Sequence, residues 1–362
     1  MAGRGRELAQ NLLLAAASTV FFLGALEGTA RLAGLRPCQG LGQQAEGAGN
    51  KVRAHPLRQY ELVPGSEFTF DREAALRHGL SPDYLAAWER VIYRINSLGL
   101  RGEEASLAKP SRTQRILVLG DSVGFGWGIE EQDTLSSQLQ QLLNQSGSSQ
   151  RYEVWNAGVP GYATWQELAY LDEKGAVFQP DWVVVPFLFN DVDGNNEAVQ
   201  SQPFGLSSLA QTFVQATQKS AVLCFLRNQA LEFRLKRLHA CRGPNCWGMT
   251  EHVLDDLVVQ CRKLGSGLAL VAFPMRLQVE PAAEPGYYDR ALGANPHQGY
   301  QDVISRLCVA RGIPYLDLLT AYQTAMADTT RSLFLDADHP NAEGTRLAAR
   351  AMLPFLEQLV VE

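Results

Sequence analysis

The chain of 362 residues carries 32 Lys and Arg against 38 Asp and Glu, a net charge of −6, and 46% of it is apolar. That length holds one large domain with additions, or two domains of roughly 100–200 residues each, with enough apolar content for a sizeable core. A mild acidic balance without a clustered basic excess excludes a nucleic-acid surface, and there is no internal repeat or long low-complexity tract.

Arg4 and Arg6 precede an apolar run from Leu12 to Leu26, interrupted only by Ser18 and Thr19. Positive charge ahead of an apolar stretch orients the N-terminus toward the cytoplasm. The run is shorter than the roughly 20 residues that span a bilayer comfortably. Extending it to Leu35 brings in Glu27 and Arg31 near the far interface. The expectation is an uncleaved anchor over residues 1–36 in the inner (cytoplasmic) membrane, with the rest of the chain outside the cytoplasm. A cleaved signal peptide that frees a periplasmic or secreted protein is the rival, and a buried core helix is the third reading.

Residues 36–56, rich in Gly, Gln and Ala, read as a tether, and residues 37–110 as a tether plus an N-terminal extension packed on the main domain. Within it, Tyr60-Glu-Leu-Val-Pro64-Gly65 and Tyr93-Arg-Ile-Asn-Ser97 read as short strands bounded by turn residues. From Gln114 the pattern changes. Arg115–Leu119, Tyr152–Trp155, Trp182–Phe189, Leu268–Phe273 and Pro314–Leu318 read as strands. Helical stretches alternate with them: Thr134–Leu143, Trp165–Lys174, Thr250–Lys263, His297–Arg311 and Asn341–Leu359. Continuous apolar strands separated by helices predict an α/β fold, a mostly parallel sheet covered on both faces. Ligands then bind beyond the carboxyl ends of the strands, where Ser122, Asn190 and the segment after Asn156 fall. The long stretches Asp193–Met249 and Met275–Pro296 exceed ordinary connections and read as pocket-shaping loops. Arg227–His239 reads as a basic helix with a solvated face.

Six cysteines are present: Cys38, Cys224, Cys241, Cys246, Cys261 and Cys308. Their spacing is not that of a zinc site. Cys241 and Cys246 could close a small disulfide loop in an oxidising compartment, with free thiols as the alternative. Cys224, Cys261 and Cys308 sit among apolar residues and read as core.

Serine ester hydrolysis needs a base for the hydroxyl proton, a group that holds the base, and donors for the oxyanion. Ser122 stands at a strand-to-helix turn that can expose a nucleophile; N-capping is its ordinary alternative role. Near the C-terminus, Asp336-Ala-Asp-His339-Pro-Asn341 places a carboxylate three residues before a histidine. Taken alone, that pair also fits a metal ligand set or a plain surface loop. Asp338 is the competing carboxylate, although immediate neighbours in an extended loop tend to point apart.

Together these pieces resemble the SGNH hydrolase (GDSL-like lipase/acylhydrolase) family. Leu117-Val-Leu-Gly120-Asp121-Ser122 looks like its first block, Asn156-Ala-Gly158-Val-Pro-Gly161 its second, Asn190-Asp191 its third, and Asp336-x-x-His339 with Pro340 and Asn341 its last. The order and rough spacing match over about residues 114–360. The resemblance implies a three-layer α/β/α sandwich on a five-stranded sheet, placing the hydrolase domain at 111–362. It implies a nucleophile Ser122, a base His339 and an orienting Asp336. It further implies an oxyanion hole from the Ser122 and Gly161 N–H groups and the Asn190 amide. For Gly161 a simple turn glycine, and for Asn190 a strand-end cap, are the plainer roles. The mechanism requires no cofactor and no metal. Val123 follows the serine where the family often has Leu, and Leu188 replaces a glycine two residues before Asn190.

Tyr93-Arg-Ile-Asn96-Ser-Leu-Gly99-Leu-Arg101-Gly102 looks like an extension of membrane-anchored bacterial members. There Arg101 would bind an anionic substrate group or, more plainly, form a structural ion pair. The expected activity is removal of a small acyl group, such as acetyl, from a cell-envelope glycan or similar ester. An O-acyltransferase that uses the same triad on a polysaccharide acceptor, and a non-catalytic envelope binding protein, are the alternatives.

Overall fold

Five short apolar runs become the strands of one sheet. They are β5 (Thr113–Val118), β6 (Arg151–Asn156), β7 (Trp182–Phe187), β8 (Gly267–Ala272) and β9 (Tyr315–Asp317). All neighbours are parallel, in the order β6-β5-β7-β8-β9. The computed structural model describes residues 18, 22–33, 52–72, 90–147, 149–201, 220, 222–223, 247–280, 299–327 and 331–360.

The period-2 geometry of a strand sorts its residues into two layers. Leu117, Leu119, Val183, Val185 and Leu270 enter one core. Ile116, Val118, Val184 and Val271 enter the other. The first is closed by helices α3 (Thr164–Phe178), α5 (Gly248–Leu264) and α7 (Tyr300–Arg311). The second is closed by α2 (Leu135–Gln145), α8 (Leu319–Ala327) and α9 (Ala342–Val360). Three further helices, α1 (Ser122–Phe125), α4 (Phe189–Ser201) and α6 (Arg276–Val279), follow β5, β7 and β8. The expected three-layer α/β/α sandwich is therefore present.

The Gly-rich tether ends earlier than expected. Val52–His55 forms β1, paired antiparallel with β2 (Gln59–Leu62), and β3 (Glu67–Asp71) pairs with β4 (Arg90–Arg94). Tyr60, Leu62, Phe70, Val91 and Tyr93 from these hairpins share a core with Phe125, Trp127 and Tyr162. The stretch read as a long loop from Asp193 starts as helix, because α4 runs on to Ser201.

By its internal contacts the chain divides into two units, residues 1–40 with 202–242, and residues 41–201 with 243–362. Within the first, residues 22–32 are helical. There Glu27 pairs with Arg31 at 2.7 Å and accepts from Ser220 Oγ at 2.8 Å. Among the described residues no helix is long and apolar enough to cross a membrane. Most of the expected anchor, the Arg227–His239 helix, and Cys38, Cys224, Cys241 and Cys246 lie outside the described residues. Cys261 and Cys308 are buried free thiols, as core residues should be.

At the amino end of β5, Arg115 is fully buried. It pairs with Glu153 at 3.0 Å, donates to Phe178 O at 2.6 Å and lies 3.9 Å from the Trp155 ring centroid. Breaking such a buried pair from one side costs about 3–5 kcal/mol, so this end of the sheet is fixed while its carboxyl end is left for chemistry.

Candidate active site

The carboxyl ends of β5, β6 and β7 each deliver one of the sequence blocks, and β5 stands between the other two. That is the switch point of an open parallel sheet, where a crevice forms. After β5 the chain turns sharply into α1. Asp121, not Ser122, is its N-cap, and accepts from Val123 N at 2.8 Å. The Ser122 hydroxyl is left to face the loop before α9.

That loop is closed on itself. Leu335 N donates to His339 O at 2.8 Å, and Asn341 N donates to Leu333 O at 2.9 Å. Asn341 then caps α9 through Gly344 N at 2.9 Å. His339 Nε2 lies 2.8 Å from Ser122 Oγ. Its Nδ1 lies 2.8 and 2.9 Å from the two oxygens of Asp336. The competing Asp338 does reach the ring, at 3.3 Å from Nδ1, farther than Asp336. Asp336 also accepts from the backbone N–H of His339 and of Asp338, at 2.9 and 3.1 Å. The structure thus brings together Ser122, His339 and Asp336, from two stretches more than 200 residues apart. A narrow gap beside them is bordered by Val123, Trp127, Pro340 and Thr345.

Burial disfavours a charged imidazole, but Asp336 and Asp338 outweigh it and raise the His339 pKa to about 10. Burial also opposes ionisation of Asp336, yet the charge and hydrogen bonds of His339 hold it well below the usual carboxylate range. Asp338 goes the other way. Burial, assisted by Asp336 and working against the attraction of His339, pushes it up to about 7.

Asn190 opens α4 and donates its amide to Asp121 at 2.8 Å, which ties it to the residue before Ser122. It does not act as a strand-end cap. Gly161 lies in the turn before α3 with φ +80, a left-handed conformation that glycine adopts at no steric cost. The turn is pressed against α1 at Gly158, where an added Cβ would lie 2.2 Å from Phe125 N. Only glycine lets these two backbones approach so closely.

Among the described residues Arg101 is engaged by backbone carbonyls and aromatic faces, not by the carboxylate of an ion pair. It is 4% exposed, stacks on the Tyr93 and Phe125 rings at 4.6 Å each, and donates to the carbonyls of Phe125, Gly126 and Ile129 at 2.7, 2.5 and 2.6 Å. Burial lowers its pKa to about 10. It braces the end of the turn that carries Ser122. Sequence reasoning also missed a group of buried acids. Asp191 accepts from Leu188 N and Thr164 Oγ1, both at 2.9 Å, joining the start of α4 to the start of α3. Burial and then Asp121 push it up to about 8. Burial, with Asp191 and Asp121 nearby, raises Glu167 well above its ordinary range.

Among the described residues, two groups have the composition of a metal site: Asp336, Asp338 and His339, and His55, Glu61 and Glu173. In the second, Arg58 Nη2 already lies 2.9 Å from Glu61 and 3.2 Å from Glu173, so a guanidinium supplies the positive charge. In the first, the imidazole Nδ1 that would bind a metal is engaged with Asp336.

Residues 118–347, well over half of the chain, match the GDSL-like lipase/acylhydrolase family. No curated protein matches the chain. Similar solved structures include a catalytic mutant of Axe2, an acetylxylan esterase from Geobacillus stearothermophilus, with TM-score 0.42 and 16% identity over 67% of this chain and 93% of that one. The psychrotrophic esterase EstA from Pseudoalteromonas sp. gives 0.39 and 15%, over 69% and 100%. A two-domain esterase, CEX, active on acetylated mannans, gives 0.42 and 15%, over 69% and 50%. Scores and identities this low add no weight beyond the family match. On that match, the chain belongs to the GDSL-like lipase/acylhydrolase family and is a hydrolase acting on ester bonds.

Proposed function

We propose that the protein is a serine esterase that removes a short acyl group, such as acetyl, from a cell-envelope glycan or similar ester by way of an acyl-enzyme. The observation that carries this reading is the unbroken chain Ser122 Oγ–His339–Asp336, with both links at 2.8 Å. Ser122 Oγ attacks the acyl carbon while His339 Nε2 takes its proton. The same proton goes to the departing alcohol, and a water then repeats the sequence on the acyl-enzyme. Asp336 holds Nδ1–H and stabilises the imidazolium that forms. The backbone N–H groups of Ser122 and Gly161 and the Asn190 amide face the developing oxyanion. An amide has two N–H donors, so the one spent on Asp121 leaves the other for substrate.

The room beside the Ser122 hydroxyl, bounded by Val123, Trp127 and Pro340, is narrow, which favours a short acyl chain over a long one. Hydrolysis of p-nitrophenyl esters should be fastest for acetate and fall as the chain lengthens to octanoate. A maximum at octanoate would refute the short-acyl assignment.

The base must be neutral at Nε2. Because the two carboxylates raise the His339 pKa above the usual 6.5, the imidazolium persists to higher pH. The log of kcat/KM should therefore rise with pH, with a midpoint above 6.5. Asp338→Asn removes one of the anions that favour the imidazolium, so its midpoint should move down. A pH–rate profile that is flat from 5 to 9, or a midpoint that moves up in this variant, contradicts His339 as the base.

The cellular placement belongs to the same proposal: an inner-membrane anchor at residues 1–36, with the hydrolase domain outside the cytoplasm. It is supported by Arg4 and Arg6 ahead of the apolar run Leu12–Leu26. The full-length chain should sediment with membranes and be cleaved by protease added to spheroplasts. A protease-resistant pool in the soluble cytosol would reject it.

A further inference from the structure

We propose that Tyr60, in the N-terminal hairpin, is a positioning residue that aims the Gly161 N–H at the oxyanion. The inference deepens the esterase reading and rests on Gly161 as an oxyanion donor. Tyr60 Oη donates to Pro160 O at 2.7 Å. That carbonyl and the Gly161 N–H belong to one peptide unit. The unit is planar and trans, so the two groups point in opposite directions; no cis peptide occurs among the described residues. Fixing the carbonyl on one side fixes the direction of the N–H on the other. It also polarises the peptide, which strengthens the N–H as a donor.

The turn needs such a brace. Gly161 has φ +80 and no side chain to anchor it, and glycine is the residue with the most backbone freedom. The hydroxyl in this place also fits only against glycine, since a Cβ on Gly161 would lie 2.8 Å from Tyr60 Oη.

Tyr60 is itself held from two directions. Its ring meets that of Tyr162 edge-on, with centroids 5.3 Å apart. The Tyr162 hydroxyl donates back to Tyr60 O, and Arg58 Nη1 lies 3.4 Å from that hydroxyl. Only 7% of Tyr60 is exposed. Burial, then Tyr162 and Asp121, raise its phenol above the ordinary 10, so the hydroxyl keeps the proton it donates. Tyr60 lies upstream of the segment that matches the family, which begins at residue 118. The brace is therefore supplied by this chain's own extension.

Tyr60→Phe in the full-length chain removes the hydroxyl and keeps the ring. With p-nitrophenyl acetate, kcat should fall about 10-fold, less than the 10²–10³-fold of losing a donor outright, while KM stays within about twofold. The rate of phosphonylation by p-nitrophenyl ethylphosphonate, whose phosphonyl oxygen occupies the oxyanion position, should fall by the same factor. Active-site titration puts both rates on folded enzyme. Tyr322→Phe is the control, because it deletes another fully buried hydroxyl, one bonded to Gly344 O at 2.8 Å. That variant should keep both rates. The inference is overturned if Tyr60→Phe leaves kcat unchanged, if its loss falls on KM alone, if phosphonylation is unaffected, or if Tyr322→Phe loses as much. Ser122→Ala separates the two levels: full activity there removes the esterase reading and this inference together. An inactive Ser122→Ala beside an unimpaired Tyr60→Phe removes the inference alone.

Discussion

Ser122→Ala should lower kcat/KM for p-nitrophenyl acetate by about 10⁴-fold or more, leaving what binding and the oxyanion donors supply without a nucleophile. The fold should hardly notice. Ser122 is half-buried, and its hydroxyl makes one bond, to His339. Losing a bond of that kind costs about 1 kcal/mol, and Asp121 rather than Ser122 caps α1. Loss of activity with an almost unchanged thermal midpoint is therefore the expected pairing. A variant that turns over at the wild-type rate would require another nucleophile.

Asp336→Asn should cost nearly as much, about 10⁴-fold in kcat, because an amide in that place favours the wrong imidazole tautomer. Asp338→Asn should cost no more than about 10-fold. The ranking follows from contacts. Asp336 puts both oxygens on Nδ1 at 2.8 and 2.9 Å and is locked by two backbone N–H groups. Asp338 lies 3.3 Å from the same nitrogen. It acts chiefly through its charge, which shifts a pKa without setting the tautomer. Measuring kcat for both variants at the pH optimum of each keeps that shift out of the comparison. A larger loss at Asp338 would transfer the orienting role to it.

The strand-helix alternation and the four blocks were legible in the sequence because their signals are local. An apolar run followed by glycine and a polar turn marks a strand that ends at a crevice. A carboxylate three residues before a histidine needs only a tight loop to meet it. Their meeting with Ser122 is not local, and there the order of the blocks served in place of geometry. What was not legible depends on partners far along the chain. Val52–His55 sits in a stretch whose Gly and Gln look like a tether, and becomes a strand only by pairing with Gln59–Leu62. Arg101 suggested an ion pair because a guanidinium usually seeks a carboxylate. Its actual partners are backbone carbonyls and aromatic faces, which every sequence contains and which leave no mark. Asp191 and Tyr60 leave as little mark, since the telling partner of each, the Thr164 hydroxyl and the Pro160 carbonyl, lies far along the chain. The helix Leu319–Ala327 buries only Tyr322 and lacks the apolar stripe that announces one.

The contact at Gly158 has a consequence for how such a protein can change. There the main chain of one turn lies directly on the main chain of another, so the spacing between the Ser122 turn and the Gly161 turn does not depend on any side chain in between. Val123, Trp127 and Thr345 border the triad without setting that spacing, and as buried residues they answer to core packing instead. A new acyl or alcohol preference can then arise from exchanges away from that contact, while a side chain added at position 158 would silence every preference at once.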